Sequence, residues 1–598
     1  MSQKSSKRVR RAPDPECAPT LPPSGEAKAW HRFPAPAVAL TVLFLAFLFV
    51  PRVRDNPNLL WTFAGVGCAL LAWAALLASK ARRTGRLFRI ERAPILKSHY
   101  IQASVQLCVY AYWGWYWRDV YSEIPLILSQ LVFLYAFDAL LSWSRGRDWR
   151  VGCGPLPIVL STNVFIWFKD DLYAYQFLLV AVGAMGKEFV KWNREGRRTH
   201  IFNPSAFTLS LFSIVLIATG TTHHTRGIEI ASTLALPPHI YLEIFLLGLV
   251  VQYFFSVTLM TFSAAGVLLL MNQLYQWSTG TYAFVDTNIP IAIFLGLHLL
   301  MTDPSTSPRS NLGRVIFGGL YGLANFVLYW LFERWGVPEF YDKLLPVPFL
   351  NLSVQAIDRV AKSGLLGRFT RWEANFQPRR LNLVHMACWA TLFLTLLVSG
   401  KVDAPHEGVS IEYWKQAYRD GKPDVREKLL KVVQSQTEQG SGAASNELGM
   451  LYLEGDLLEK NRAAAAHYFA TACERGDYGG CANVATQFLF LREARSDRDV
   501  ALALDSLERS CGRIPDGHGC FLVGMAFESG RGRPVDLERA RALYRQGWEL
   551  GDLDAGRSLA RLAPSNGVGP IDPNLPPLPE PGVKSVPKWF GGLHPAAE

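Results

Sequence analysis

Half of the 598 residues are apolar, 12% are aromatic and only 19% are charged, a balance that excludes a disordered chain and an ordinary cytosolic enzyme. Residues 1–400 carry 37 Lys and Arg against 22 Asp and Glu, and residues 401–598 carry 24 against 28, so the net charge of +11 originates entirely in the first part. Its basic residues fall in short clusters between apolar runs, the pattern of a membrane surface and not of a nucleic-acid partner.

A hydrocarbon core takes ~20 apolar residues per helix, because backbone groups there are satisfied only within the helix. Uncharged runs of that size recur at 33–51, 58–79, 100–117, 201–222, 315–332 and 382–400, with shorter or singly charged runs near 124–143, 151–168, 172–190, 289–301 and 343–360. The 240–277 run holds one charge, Glu243, and is too long for one span, so it reads as two helices with a tight turn near 257. The expectation is thirteen membrane spans. The first run reads as a retained helix, since no small-residue cleavage pattern follows it. With the N-terminus inside, the inside segments hold 30 Lys and Arg and the outside loops 7. That bias orients the chain with its N-terminus in the cytoplasm and residues 401–598 outside it, in a bacterial-type inner (plasma) membrane with a periplasmic C-terminal domain.

Two proline-centred elements interrupt the apolar part, Thr199-His-Ile-Phe-Asn-Pro-Ser-Ala-Phe207 and Met301-Thr-Asp-Pro-Ser-Thr-Ser-Pro308. Both follow an inward run, both carry an Asx-Pro-Ser core, and Asn203 and Asp303 are 100 residues apart. Pro204 and Pro304 remove helical N–H groups, and side chains such as Asn203, Ser205, Asp303 and Thr306 can cap what is freed. Paired breaks of this kind point to an internal duplication around a ligand site, with ordinary capping at the membrane surface as the alternative. His223, His224 and His239 share a loop without a carboxylate at ligand spacing and read as loop histidines, so no metal site is expected. Asp138, Lys187 and Glu188 lie in or at the edge of apolar runs, where charge is costly; they are functional candidates unless Lys187 and Glu188 snorkel to the interface. No catalytic residue is named, since no phosphate-binding Gly loop, triad or haem ligand pair is present.

Thr302-Asp-Pro-Ser-Thr-Ser-Pro308, followed by Asn311-Leu-Gly-Arg-Val-Ile-Phe-Gly-Gly-Leu-Tyr-Gly322, resembles the second-half signature of the RnfD protein of the Rnf electron-transport complex and the NqrB protein of the sodium-pumping NADH:quinone reductase. Phe202-Asn-Pro-Ser-Ala206, preceded by Gly186-Lys-Glu-Phe189, is similar to the first-half element of that RnfD/NqrB family, and the stretch from Asn351 to Asp358 resembles its last helix. The resemblance covers about 90–361. It implies a flavin-carrying membrane protein that passes electrons across the bilayer beside other electron-transport subunits, in some complexes coupled to Na⁺ or H⁺, with FMN or riboflavin as cofactor. The family attaches its flavin mononucleotide to the Thr of a Ser-x-Ala-Thr motif. The corresponding loop here, Gly227-Ile-Glu-Ile-Ala-Ser-Thr-Leu-Ala235, puts Thr233 at the acceptor position but has Ile230 in place of the Ser and Ser232 before the Thr. Covalent flavin at Thr233 and non-covalent flavin at Asn203, Pro204, Ser205, Asp303, Pro304 and Thr306 both stay open.

From about 412 the pattern changes to short amphipathic helices. Ala444–Gly449, Gly480–Ala485, Gly519–Gly524 and Ala555–Ala560 share a phase at spacings of 36, 39 and 36, with small residues at their ends that let paired helices approach closely. The array resembles Sel1-like, tetratricopeptide-related repeats over roughly 412–562, through Leu448-Gly-Met-Leu-Tyr-Leu-Glu-Gly455 and Val523-Gly-Met-Ala-Phe-Glu-Ser-Gly530; the second repeat has Phe488-Leu-Phe-Leu491 where the glycine turn belongs. Cys473 with Cys481 and Cys511 with Cys520 each sit either side of a helical turn, so two disulfides are expected, with buried free thiols as the alternative.

The expected fold is all-α: a polytopic helical membrane domain followed by an α-solenoid. Its parts are a basic cytoplasmic tail (1–32), two extra helices (33–89), an RnfD/NqrB-like membrane domain (90–361), a basic segment and last span (362–400), an extracytoplasmic repeat domain (401–562) and a Pro-rich extended tail (563–598). The expected function is that of a redox component with repeats for an extracytoplasmic protein partner; the alternative is a non-catalytic membrane scaffold or transporter that reuses the fold.

Overall fold

The computed structural model describes residues 28–30, 34–93, 97–194, 196–363, 376–491, 496–511, 513, 517–562 and 589–593. Most of the expected basic tail, much of the 362–380 basic segment and most of the Pro-rich tail lie outside the described residues. The chain forms two compact units, Met1–Met271 with Ile289–Asp403, and Asn272–Asn288 with Ala404–Glu598.

The first unit is mostly helical. Five helices among the described residues are long and apolar enough to cross a membrane: Pro57–Thr84, Ile124–Ser144, Thr258–Thr279, Asn311–Trp335 and Pro378–Val398. The thirteen expected spans are not supported. The runs at 33–51, 201–222 and 289–301 make only the shorter apolar helices Ala35–Phe49, Pro204–Ala218 and Ile291–Leu300, and 151–168 holds the nine-residue helix Pro155–Asn163. At 1.5 Å per residue such helices reach about 14–24 Å, short of a ~30 Å hydrocarbon core. The causes are local. Pro51 follows the turn at Phe47–Phe49, and Gly220 ends its helix at φ 67°. The turn expected near 257 is present: Ser256, at φ 55°, divides the 240–277 run into Ile240–Phe255 and Thr258–Thr279. Two of the five bury little of themselves, Pro378–Val398 17% and Pro57–Thr84 28% of the most apolar stretch, whereas Ile124–Ser144 buries 56%.

Two small sheets stand where only helices were expected. Phe88–Arg92 pairs antiparallel with Lys28–Trp30 and parallel with Trp149–Val151, and Lys191–Arg194 forms a hairpin with Arg197–His200. These strands lie in basic connecting segments, where charge defeats a helical apolar face and backbone pairing satisfies the N–H and C=O groups instead. Gly196, at φ 77°, supplies the hairpin turn.

The second unit is a solenoid of helical hairpins. Gly442–Glu454 packs on Arg462–Glu474, Tyr478–Ala485 on Asp497–Ser510, and His518–Ser529 on Leu537–Glu549, with Leu553–Arg561 following. Glycine sets the close approach: a Cβ on Gly449 would stand 2.6 Å from the Phe469 ring, and one on Gly524 would stand 2.7 Å from the Tyr544 ring. Where the second repeat lacks its glycine turn, the Tyr478–Ala485 helix widens into a π-helical turn over Thr486–Phe490. Glu528 ties three helices together, accepting from Tyr544 Oη at 2.6 Å and Arg561 Nη2 at 2.7 Å. Burial opposes its charge, but those two donors outweigh burial and hold the carboxyl below its ordinary range.

The unit also includes Asn272–Asn288, a stretch that no repeat pattern marks. Lys428 Nζ donates to Tyr275 Oη and to Tyr282 O, both at 2.9 Å, and the Tyr282 ring stacks 3.8 Å from His406.

Both expected disulfides are present. Gly480 and Gly519 let the helix ends touch, and the next residues, Cys481 and Cys520, bond to Cys473 and Cys511 with Cα separations of 4.6 and 4.1 Å. Each closes a short loop and stabilises the fold by about 2–3 kcal/mol. Thiol labelling of the denatured, unreduced protein should leave these four cysteines unmodified; labelling of all four would show that they are free.

Candidate ligand site at two proline turns

Asn203 closes the N-terminus of the Pro204–Thr219 helix: its Oδ1 accepts from Ser205 N at 3.1 Å and Ala206 N at 3.3 Å. Pro204 occupies the first helical position, where a missing N–H leaves no bond unmade. Asn203 Nδ2 donates to Leu300 O at 2.8 Å, and Asn203 N donates to Asn351 Oδ1 at 3.0 Å. Asn351 Nδ2 in turn donates to Thr306 O at 3.3 Å. The two proline elements, distant in sequence, are thus linked through the Asn351 side chain, with a further bond from Asn203 to the residue just before the second element. Ser205 is buried behind the cap.

The second element is built differently. Asp303 Oδ1 accepts from Ser305 N at 2.9 Å, Thr306 Oγ1 donates to Asp303 Oδ2 at 3.3 Å, and Ser307 Oγ donates to Asp303 O at 2.6 Å. Asp303 therefore closes a turn and not a helix, because Pro308 follows Pro304 too soon for helical bonding. The next helix, Asn311–Trp335, is capped by Ser310. Behind the turn, Arg194 Nη2 donates to Ser307 O at 3.0 Å and to Asp358 Oδ2 at 2.7 Å.

Charged groups gather at Asp303. His200 Nε2 stands 3.6 Å from Asp303 Oδ2. The Lys187 ammonium lies within the fields of Asp303 and Asp138. A Cβ on Gly154 would stand 3.5 Å from Lys187 Nζ and 3.9 Å from His99 Cε1, so those two side chains end against one backbone position. Burial alone would raise the Asp303 carboxyl, but His200, the Ser305 N–H and Lys187 outweigh it and keep the group below the usual carboxylate range. Asp138 accepts from Trp149 Nε1 at 3.1 Å, while Glu188 joins Arg145 at 2.6 Å, Lys191 at 2.9 Å and Arg147 in an ion-pair hub of its own.

Thr233 takes no part in this cluster. Its Oγ1 donates to Glu229 O at 2.6 Å and accepts from Trp113 Nε1 at 3.3 Å, at the end of the Gly227–Thr233 helix. Two loop histidines take separate carboxylates: His224 Nδ1 lies 3.6 Å from Asp171 and His239 Nδ1 lies 3.1 Å from Asp403, while the His223 ring lies tilted against His224.

The polar atoms of Asn203 and the carboxylate of Asp303 are engaged within the protein, so these residues hold the backbone and do not fit as direct flavin ligands. A ligand entering here would meet the Lys187 ammonium and the His99 and His200 imidazoles, a cation and two hydrogen-bonding rings suited to an anionic group. Two further groups escaped the sequence analysis. His298 is fully buried in the π-helical turn Gly296–Leu300, with Nδ1 2.9 Å from Phe294 O and Nε2 without a hydrogen-bond partner. A histidine inside the apolar 289–301 run was its available signal. In the second unit, His518, Asp552 and Asp554 bring their donor atoms within 4.8 Å of one another. Asp552 already takes His518 at 2.8 Å and Ala555 N at 2.6 Å, and Asp554 takes Arg557 at 2.9 Å.

The Sel1 repeat family model matches residues 442–477 and 517–552, so the C-terminal region carries Sel1 repeats. Two solved structures are similar to the chain. A Sel1 repeat protein from Oxalobacter formigenes is 25% identical, with 22% of this chain and 96% of that one covered and a TM-score of 0.20. A protective antigen of uropathogenic Escherichia coli strains, displaying an SLR fold, is 13% identical, with 75% and 82% covered and a TM-score of 0.22. No curated protein matches the chain significantly. None of these comparisons supports the resemblance of 90–361 to electron-transport subunits.

Replacing Asn203 by Leu leaves Ser205 N, Ala206 N and Leu300 O without their partner, and the purified chain should lose about 2–3 kcal/mol of stability in denaturant unfolding. Asp303→Leu should act in the same direction. Unchanged unfolding of both variants would mean that water replaces the lost bonds and that the elements are surface caps.

Proposed function

We propose that this protein is an integral membrane scaffold that presents a disulfide-stapled Sel1 solenoid to a protein partner outside the cytoplasm. The observation that carries the reading is the pairing of Cys473 with Cys481 and Cys511 with Cys520 inside the repeats. Such bonds persist in oxidising compartments and are reduced in the cytosol. The net positive charge of residues 1–400, 37 Lys and Arg against 22 Asp and Glu, suits a chain held at a membrane surface. The broad faces left open on Pro57–Thr84 and Pro378–Val398, with Trp61 76% and Leu76 71% exposed, call for lipid around them. Stacked hairpins supply an extended surface of the kind that holds proteins and peptides.

A second reading makes the apolar unit a relative of the RnfD/NqrB proteins, with an internal duplication, FMN or riboflavin as cofactor and other electron-transport subunits as neighbours. The Lys187 ammonium beside His99, His200 and Asp303 favours it, since a flavin phosphate needs a cation and hydrogen-bond donors. There Lys187 and the two histidines would hold the anion and Asn203 and Asp303 would fix the backbone beneath it; the flavin would supply one- and two-electron transfer. Thr233, with its hydroxyl already bonded twice, is a poor covalent acceptor.

A reporter that is active only outside the cytoplasm, fused at residue 410, should be active; activity only of a cytoplasmic reporter there would overturn the scaffold's placement. An absorption band at about 450 nm in the purified protein would establish the second reading alongside the first, and its absence would remove it.

A further inference from the structure

The short segment Trp589–Leu593 lies across the first helices of three successive hairpins, and its bonds are those of a bound peptide. Asn446 Nδ2 and Asn483 Nδ2 donate to Phe590 O at 2.7 and 2.8 Å, and Phe590 N donates to Asn483 Oδ1 at 2.9 Å. One asparagine thus reads both main-chain groups of a single residue, while Asn483 Nδ2 also donates to Asn446 Oδ1 at 2.8 Å and fixes the orientation of both amides. Two carboxylates continue the track: Gly592 N donates to Glu447 Oε2 at 2.9 Å and Leu593 N to both oxygens of Glu454 at 3.1 Å.

Side-chain selection comes from the same surface. Trp589 stacks 5.9 Å from Phe469, Phe590 lies 5.3 Å from His518, and Leu593 is 1% exposed in the core formed by Leu448 and Leu451. Between them only glycine fits. Gly591 and Gly592 hold φ of 97° and 98°, a Cβ on Gly591 would stand 2.8 Å from Glu447 Oε1, and one on Gly592 would stand 2.9 Å from Met450 Cε. Main-chain reading by amides and carboxylates, flanked by two apolar pockets and a glycine-only passage, is a recognition pattern and exceeds what is needed to tie down a loose segment.

We propose that this face of the solenoid is a peptide-binding groove, held in cis by Trp589–Leu593, and that the partner docks by an extended segment of the same aromatic–aromatic–Gly–Gly–aliphatic chemistry, which must displace it. The inference rests on the scaffold reading and names the chemistry of its partner and a built-in brake on binding. A segment tethered on the same chain competes at a high effective concentration, so an external peptide binds the native chain only weakly.

The test uses the full-length chain in detergent and a fluorescent peptide with the sequence of residues 588–593. In anisotropy titrations a Phe590→Ala, Leu593→Ala chain, whose own segment no longer fits, should bind the peptide at least about tenfold more tightly than the native chain. Adding Asn483→Ala should abolish that binding while both disulfides stay closed. A peptide with Ala-Ala in place of Gly-Gly should fail to bind the freed chain, a control that needs no change in the fold. Equal affinity for native and freed chains, or no binding to the freed chain, would overturn the groove. A chain that fails this test but carries an active outside reporter at 410 still supports the scaffold reading; a reporter active only inside removes that reading whatever the peptide does.

Discussion

An aromatic ring laid flat on a glycine sets the spacing of the repeat unit. Phe469 against Gly449 and Tyr544 against Gly524 occupy equivalent places in two hairpins, and any Cβ at either glycine collides with the ring. The contact fixes how near paired helices run, and the rest follows from it. Helix ends meet closely enough at Gly480 and Gly519 for the neighbouring cysteines to bond, and successive first helices lie near enough for Asn446 and Asn483 to share a hydrogen bond. Overpacking this contact costs ~1–3 kcal/mol locally and also misaligns whatever the repeats hold.

The apolar unit obeys a different constraint. Each break in an apolar helix frees backbone groups that hydrocarbon cannot satisfy, so each needs a polar partner from the chain. Asn203 and Asn351 meet that need for one break, and Asp303 and Ser310 for another. Lys187, His99 and His200 gather near Asp303, so one of these caps and a cluster of ionisable side chains fall at one place. The link through Asn351 holds the two proline elements together beside that cluster, and Asn203 serves it by fixing the backbone.

The solenoid was legible in the sequence because it is periodic: a glycine or alanine recurring at fixed spacing has one structural explanation, and cysteines placed either side of a turn have few others. Asn203 and Asp303 were legible as caps because Asx-Pro in an apolar run leaves backbone groups that something must satisfy. The span count was not, since composition counts apolar residues and is blind to where Pro51 and Gly220 turn the backbone, although the length of the 240–277 run did reveal the turn at Ser256. Nor were the small sheets, which arise in charged connectors without an alternating apolar face. The roles of Asn446 and Asn483 were invisible for another reason: their partner, Phe590, lies 144 and 107 residues away and belongs to no repeat.

Lipid covering the exposed helical faces of one unit and an oxidising compartment around the disulfide-closed solenoid are two halves of one claim, that the protein is held in a membrane with its repeats outside the cytoplasm. The most direct test is proteolysis of the native protein in sealed membrane vesicles of known sidedness, followed by detection of fragments from the repeats. Protease should remove the repeats from right-side-out vesicles and leave them intact in inside-out ones. Removal from inside-out vesicles alone would place the solenoid in the cytoplasm and contradict that claim.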